Sequence, residues 1–320
     1  MKEKTFKTYD EQLGLLKNRG LSFADEDFAL TKLQEENYYN IINGYKDLFI
    51  DKEKDLEFYI EGVTFEEIYS LYDFDRNIRN ILFKYILKVE NNLRSLIAYS
   101  FSEKYGNDNY LKFSNFETLH GKTNNPSNLI KRANHIQKLI ANLQSDIAQA
   151  VEKKDYIKHY IITYGFVPLW VLVNCITLGR LSQFYTLMEQ SDRAKIAIYW
   201  NVQDGDLRQY IKLLADYRNL CAHDERIYNS KKEGFQIPNT KYHGMLNLID
   251  EDGKCSHGKN DFFALIIVMK TLLSPTEFRS LYNKVNGRLE SLQKKITNIP
   301  IEKIYNEMGL SKNWRQIKSS

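Results

Sequence analysis

The sequence predicts an all-α fold, and three observations support this class. Proline and glycine are scarce, with 5 and 15 copies in 320 residues, whereas turn-dense β architectures use more of both. Apolar residues mostly recur three or four positions apart, as on one face of an amphipathic helix. We find no sustained alternation of apolar and polar residues, which would indicate strands.

Capping signals open the first predicted helices. Thr8 and Glu11 form a capping box before a helix at 8–19, and Gly20 provides its stop. A second helix is predicted at 25–42. Thr64 and Glu67 form another box that opens a long helix at 64–104.

The remaining helices follow the same spacing. They are predicted at 129–160, 167–190, 193–200, 205–220, 260–273, 275–295 and 301–308. Ser274 and Glu277 form a third capping box, with Pro275 at the first helical position. Residues 105–127 and 229–259 are polar and turn-rich, so we predict loops there.

The chain divides into two predicted parts. Gly62 precedes the box at Thr64, which places an N-terminal helical region at 1–63 and a helical domain at 64–320. The two loops are insertions in this domain. Its last segment, 284–320, forms a basic helical tail with eight basic and three acidic side chains.

The net charge of +4 is unevenly distributed. Residues 1–75 hold 9 basic and 18 acidic side chains, and the other 245 hold 36 and 23. A basic body suits a polyanion such as RNA, although solvated helix faces explain the same lysines. Lys294, Lys295 and Arg315 in the tail are candidate RNA-binding residues.

The sequence also predicts where the protein works. The N-terminus lacks the apolar segment of a signal peptide, and no apolar stretch reaches the ~18 residues of a membrane span. Three scattered cysteines indicate neither disulfides nor a zinc site. No phosphate-binding glycine loop is present. We therefore expect a cytoplasmic protein without membrane contact, metal or cofactor.

The densest polar cluster is the string RNLCAHDER at 218–226. On a continuous helix Asn219, His223 and Arg226 form one stripe, and Arg218 points about 140° away from His223. For Arg218 and His223 to meet one substrate, the backbone must leave the helix near Ala222, or a second chain must contribute.

Histidine and arginine together suit the cleavage of a phosphodiester by a ribose 2′-OH. Histidine moves protons near neutral pH, and the guanidinium matches a phosphate. The alternative is a structural histidine, or one in a surface ion pair with Asp224 or Glu225.

A second cluster lies on the long helix. Asp75 and Arg79, and likewise Glu90 and Arg94, are spaced as i,i+4 ion pairs. They are either exposed helix-surface pairs, or Arg76, Arg79 or Glu90 faces the motif and holds its histidine or RNA.

The motif at 218–223 resembles the R-N-x-x-x-H motif of HEPN-domain ribonucleases. The longer string RNLCAHDERIYN resembles the signature of the abortive-infection D/F (Abi_2) family of phage-defence proteins. Further blocks resemble the same family in order: NYYNIINGY at 37–45, LYDFDRNIRNIL at 71–82, VPLWVLVNCITLGRLSQFY at 167–185 and MGLSKNW at 308–314.

This resemblance implies a HEPN-like helical bundle with additional N-terminal and C-terminal helices. It implies a homodimer with a composite active site and a metal-independent endoribonuclease toxin. Arg218 and His223 would be catalytic, with Asn219 and Arg226 in support. A small noncoding RNA would be the antitoxin. The alternative is a non-catalytic RNA-binding or RNA-regulated module on the same scaffold.

Overall fold

The computed structural model describes residues 5–54, 56–119 and 125–319. Within these ranges the chain forms helices and only isolated β-bridges, with no strand or sheet. The all-α class predicted from the sequence is therefore confirmed.

The first half of the chain is dominated by one long helix. Its α-helices are α1 (Tyr9–Asn18), α2 (Glu26–Glu36), α3 (Phe65–Tyr105), α4 (Pro126–Lys153) and α5 (Asp155–Tyr164). A π-helical turn at Tyr39–Asn43 and short 3-10 turns at Lys46–Leu48, Asn109–Leu111 and Phe113–Asn115 connect them.

The second half consists of shorter helices. They are α6 (Leu169–Leu172), α7 (Leu178–Leu187), α8 (Gln190–Ile198), α9 (Asp204–Ala222), α10 (Lys241–Met245), α11 (Phe262–Leu272), α12 (Pro275–Lys295) and α13 (Ile301–Glu307), with a final 3-10 turn at Trp314–Lys318.

The three helix starts predicted from capping boxes are confirmed, whereas the helices predicted to begin at 129 and 193 begin at Pro126 and Gln190. Reciprocal capping boxes are present at the N-termini of α1, α3 and α12, opened by Thr8, Thr64 and Ser274. In each box the hydroxyl accepts the backbone N–H three residues on, and the glutamate there accepts the cap N–H. These contacts are local, so sequence alone identifies them.

Helix α3 is the central element, and α12, α9, α6 and α8 pack around it. Its buried side chains recur at helical spacing along its whole length, from Phe65 to Phe101. Helix α11 is buried on all sides, which accounts for its apolar sequence. Among the described residues, no helix has the length and apolarity needed to cross a membrane.

Three predicted helices are interrupted. The helix predicted at 25–42 ends at Glu36, where Asn37 takes φ +73°. The one at 129–160 breaks at the extended Lys154, which lets α5 fold onto α4 and bury Ile157. The one at 167–190 is divided because the Thr177 hydroxyl caps a new helix.

The predicted loops and the domain division have different outcomes. Segment 229–259 is not wholly irregular, since it contains α10 and buries Phe235 and Ile237. Segment 105–127 holds the two 3-10 turns, and its residues 120–124 lie outside the described part. The division at residue 63 stays a prediction. Ser22 exchanges backbone hydrogen bonds with Val63 and Phe65 there.

Candidate active site

Helix α9 ends immediately before the motif histidine. The His223 N–H donates to the Asn219 carbonyl at 3.0 Å, and the next residue, Asp224, takes φ +57°. The Glu225 N–H then turns back to the Leu220 carbonyl at 2.9 Å. His223 is left exposed at the C-terminal end of the helix.

The turn after His223 is anchored to α3 by Arg79. The Arg79 side chain is only 2% exposed, and its Nη2 donates to Asp224 Oδ1 at 2.6 Å. Its Nη1 donates to Asp75 Oδ2 at 2.6 Å. Arg79 therefore connects the helix core to the residue next to His223, and the alternative of an exposed Asp75–Arg79 pair is wrong.

Asp75 is the acceptor at the centre of this network. Its fully buried carboxylate accepts the Tyr228 N–H at 2.8 Å and the Ile227 N–H at 3.2 Å. The Tyr45 hydroxyl donates to it at 2.8 Å. A single carboxylate thus joins the N-terminal region, α3 and the segment after the motif.

Arg226 lies beside the same network. Its Nη1 donates to the Gly44 carbonyl, and its guanidinium lies 6.0 Å from the centre of the Tyr45 ring. Asp47 is 4.0 Å away. These contacts assign Arg226 the role of holding the motif segment against the π-helical turn.

Arg218 faces another side of α9. Its guanidinium lies 5.8 Å from the Phe83 ring centre, and its Nε is 3.9 Å from Glu90 Oε2, too far for a hydrogen bond. Glu90 is fully buried and pairs through Oε1 with Arg94. Neither Arg218 Nε nor Glu90 Oε2 has a hydrogen-bond partner.

A pocket of about 670 Å³ surrounds His223. One wall comes from the π-helical turn, which includes Tyr39, and from Tyr45 just after it, and the other comes from residues 220–231. Arg226 lines this pocket, and Arg218 does not. Within one chain, the two predicted catalytic side chains therefore do not share a pocket, although the helix ends where the sequence analysis required.

The other predicted site residues lie outside this pocket. Arg76 pairs with Glu36 on the surface. Lys294 and Lys295 are exposed in the last turn of α12. Arg315 donates to Asn286 and lies over aromatic rings.

The motif also contains a cysteine, Cys221. Burial raises the pKa of Cys221 to about 12, which keeps its thiol protonated at neutral pH. Among the described residues, no group of three His, Cys, Asp or Glu side chains is placed to hold a metal ion.

Sequence reasoning missed the roles of Asp75 and Tyr45. A carboxylate and an arginine spaced i,i+4 give the same sequence pattern whether the ion pair is buried or exposed. The signal available was positional, because Tyr45, Asp75 and the motif all lie in blocks that resemble one family.

A family model for Abi-like proteins matches residues 31–229. The chain belongs to the Abi-like protein family. The match begins within α2 and ends just after the motif, so it includes Tyr45, Asp75, Arg79 and His223. Membership in the Abi-like family associates the chain with abortive infection, a form of phage defence. Comparisons with curated proteins and with solved structures gave no match.

Proposed function

We propose that this Abi-like protein is a metal-independent endoribonuclease of HEPN type, which acts as a toxin in abortive infection. The observation that carries the proposal is the placement of His223. An exposed imidazole stands at the wall of a pocket, and the Arg79–Asp224 contact holds the turn beside it. Proton transfer requires such an accessible and positioned group.

The proposed reaction needs only side chains and RNA. His223 removes the proton from a ribose 2′-OH, and the 2′ oxygen forms a bond to phosphorus. The bond from phosphorus to the 5′ oxygen breaks, and a protonated histidine returns a proton to that oxygen. The products are a 2′,3′-cyclic phosphate and a 5′-OH. Arg218 stabilises the negative charge that develops on the phosphoryl oxygens.

A homodimer would complete this site. Arg218 and His223 occupy different sides of one chain, whereas a two-fold axis brings the same surface of two copies together. In this arrangement the Arg218 of one copy and the His223 of the other contact the same phosphodiester. Asn219, whose carbonyl accepts the His223 N–H, orients the histidine.

A cleavage assay in EDTA tests the activity. Wild type, His223→Ala and the matched control His159→Ala, another exposed histidine outside the pocket, are incubated with cellular RNA, and product ends are mapped. We expect cyclic phosphate ends from wild type and the control only. If His223→Ala cuts as well as wild type, the proposed mechanism is wrong.

Mixing two inactive variants tests the composite site. Arg218→Ala and His223→Ala together should recover about a quarter of wild-type activity, because half of randomly formed dimers contain one intact pairing of the two. No recovery from folded, mixed dimers would place both groups in one chain.

RNA that co-purifies is sequenced, and one enriched small RNA would support an RNA antitoxin. Bound RNA without any cleavage would favour the binding-module alternative.

A further inference from the structure

A second pocket, of about 530 Å³, lies between α4, α7 and α9 and the segment that follows the motif. We call it the α4–α7–α9 pocket. Its basic lining side chains are Arg132, Lys138, Lys212 and Lys232, and its one acidic lining residue is Asp216. Among five pockets compared in the described part of the chain, this one has the largest excess of positive charge.

Two of its ammonium groups lie near the same aromatic ring. Lys212 lies 5.0 Å and Lys232 5.6 Å from the centre of the buried Phe235 ring. Asn260 fixes the Lys232 backbone through two hydrogen bonds of 3.0 Å. Burial and the nearby charge of Lys212 lower the pKa of Lys232, so an anion there would relieve a repulsion.

The opposite wall combines a hydrogen-bonded arginine, Arg132, with an exposed lysine, Lys138. Arg132 donates through Nε to the Glu117 carbonyl at 2.8 Å and through Nη2 to the Thr186 carbonyl at 3.0 Å. It also pairs with the Glu117 carboxylate at 3.5 Å. Lys138 is exposed six residues further along α4, which is about 1.7 turns. Asp216, across the pocket, pairs with Lys232.

The pocket and the proposed catalytic histidine lie along the same helix, because α9 lines the α4–α7–α9 pocket at Lys212 and Asp216 and the His223 pocket at Leu220. Lys212 and His223 are eleven residues apart, which is about 16 Å along a helix axis. Lys231 lines the His223 pocket, and its neighbour Lys232 lines the α4–α7–α9 pocket. A few nucleotides of a single strand can span this distance.

We propose that the α4–α7–α9 pocket binds backbone phosphates of the single-stranded RNA whose cleavage site lies at His223. This proposal rests on the proposed ribonuclease function, because that function places the cleavage site of the bound strand at His223. The pocket should bind strands of any base sequence, because its ammonium groups contact backbone phosphates, which are the same for every base. It extends the substrate contact beyond the scissile linkage, so affinity should rise with strand length.

The test measures binding separately from cleavage. An uncleavable, 2′-deoxy-substituted oligonucleotide is titrated by fluorescence anisotropy at several salt concentrations. The proteins are wild type, the double variant Lys138→Ala/Lys212→Ala, and the control Lys153→Ala/Lys158→Ala. The control removes two exposed lysines outside the pocket, so both variants lose the same charge.

Two lost phosphate contacts have a defined signature. The slope of log affinity against log salt should fall by about 1.4, which corresponds to a ~25-fold loss of affinity at 0.1 M salt relative to 1 M. The control should retain most of the wild-type slope. Equal slopes for wild type and the pocket variant would overturn the proposal. So would displacement of the oligonucleotide by a mononucleotide as effectively as by a longer strand.

Cleavage kinetics separate this proposal from the ribonuclease proposal. The pocket variant should raise the KM for long RNA and leave kcat and the cleavage of a dinucleotide unchanged. If the pocket variant weakens binding but no protein cleaves RNA, the phosphate-binding pocket stands and the ribonuclease proposal fails. If RNA is cleaved with an unaltered KM and an unaltered salt slope, the pocket proposal alone fails.

Discussion

Replacement of Asp75 by alanine should destabilise the fold and misplace the motif segment. The carboxylate is fully buried and accepts hydrogen bonds from Arg79, Tyr45 and the backbone N–H groups of Ile227 and Tyr228. Asp75→Ala leaves these donors without their acceptor and deprives a buried guanidinium of its buried partner. Breaking a buried ion pair costs about 3–5 kcal/mol, and each unsatisfied backbone N–H costs about 1–3 kcal/mol.

These contributions are not additive, because the motif segment can relax towards water. Arg79 also keeps its contact with Asp224, whose side chain is 69% exposed. We therefore expect a loss of about 4 kcal/mol in the free energy of unfolding. The protein should still fold, since domains are commonly stable by about 5–15 kcal/mol.

Asp73→Ala is the matched control on the same helix. Asp73 is half-buried, and its carboxylate accepts one hydrogen bond, from the Asn77 amide at 3.1 Å. Its removal should cost less than about 1 kcal/mol. Urea unfolding gives both values from the midpoint and slope. If the two variants differ by less than about 1 kcal/mol, the buried network does not stabilise the segment as argued.

Further variants test other contacts. Burial lowers the pKa of His243, whose ring nitrogens are both hydrogen-bonded. The unfolded chain then binds more protons below the ordinary pKa of 6.5, so the free energy of unfolding should fall from pH 7 to pH 5, by at most about 1.4 kcal/mol per pH unit. His243→Gln should flatten that profile, and an unchanged profile would contradict it. A Cβ at Gly309, which has φ +73°, would lie 2.2 Å from Asp261 Oδ2. Gly309→Ala should therefore cost about 3 kcal/mol in urea unfolding, and a neutral result would refute the close approach. Arg226→Lys should cost about 1 kcal/mol, because an ammonium cannot reproduce the guanidinium's contacts with Gly44 and the ring beside it. Thermal unfolding with an unchanged midpoint would count against this role.

Sequence alone determined the fold class and the starts of the main helices. The capping boxes at Thr8, Thr64 and Ser274 depend on residues three positions apart, so they are visible without a tertiary structure. Helix geometry also showed that Arg218 and His223 diverge by about 140° on a continuous helix, so that either the backbone leaves the helix near Ala222 or a second chain contributes. The blocks that resemble the family lie in order along the chain, and the family match at 31–229 includes all of them except the one at 308–314.

The break at Lys154 was not visible in the sequence. Lys154 is neither proline nor glycine, and nothing in its neighbourhood indicates a stop. Lys154 nevertheless takes an extended conformation, and α5, which follows it, contacts α4 and buries Ile157. Burial of a side chain depends on tertiary packing, so local helix propensity does not predict it.

The candidate site shows the same division. The motif string names Arg218 and His223, but only the tertiary structure reveals that Asp75 and Arg79 are buried and hold the segment after His223. It also gathers Arg132, Lys138, Lys212 and Lys232, spread over a hundred residues, around one pocket. Spacing along a helix specifies which side chains share a face, whereas burial and charge density depend on which other elements cover that face.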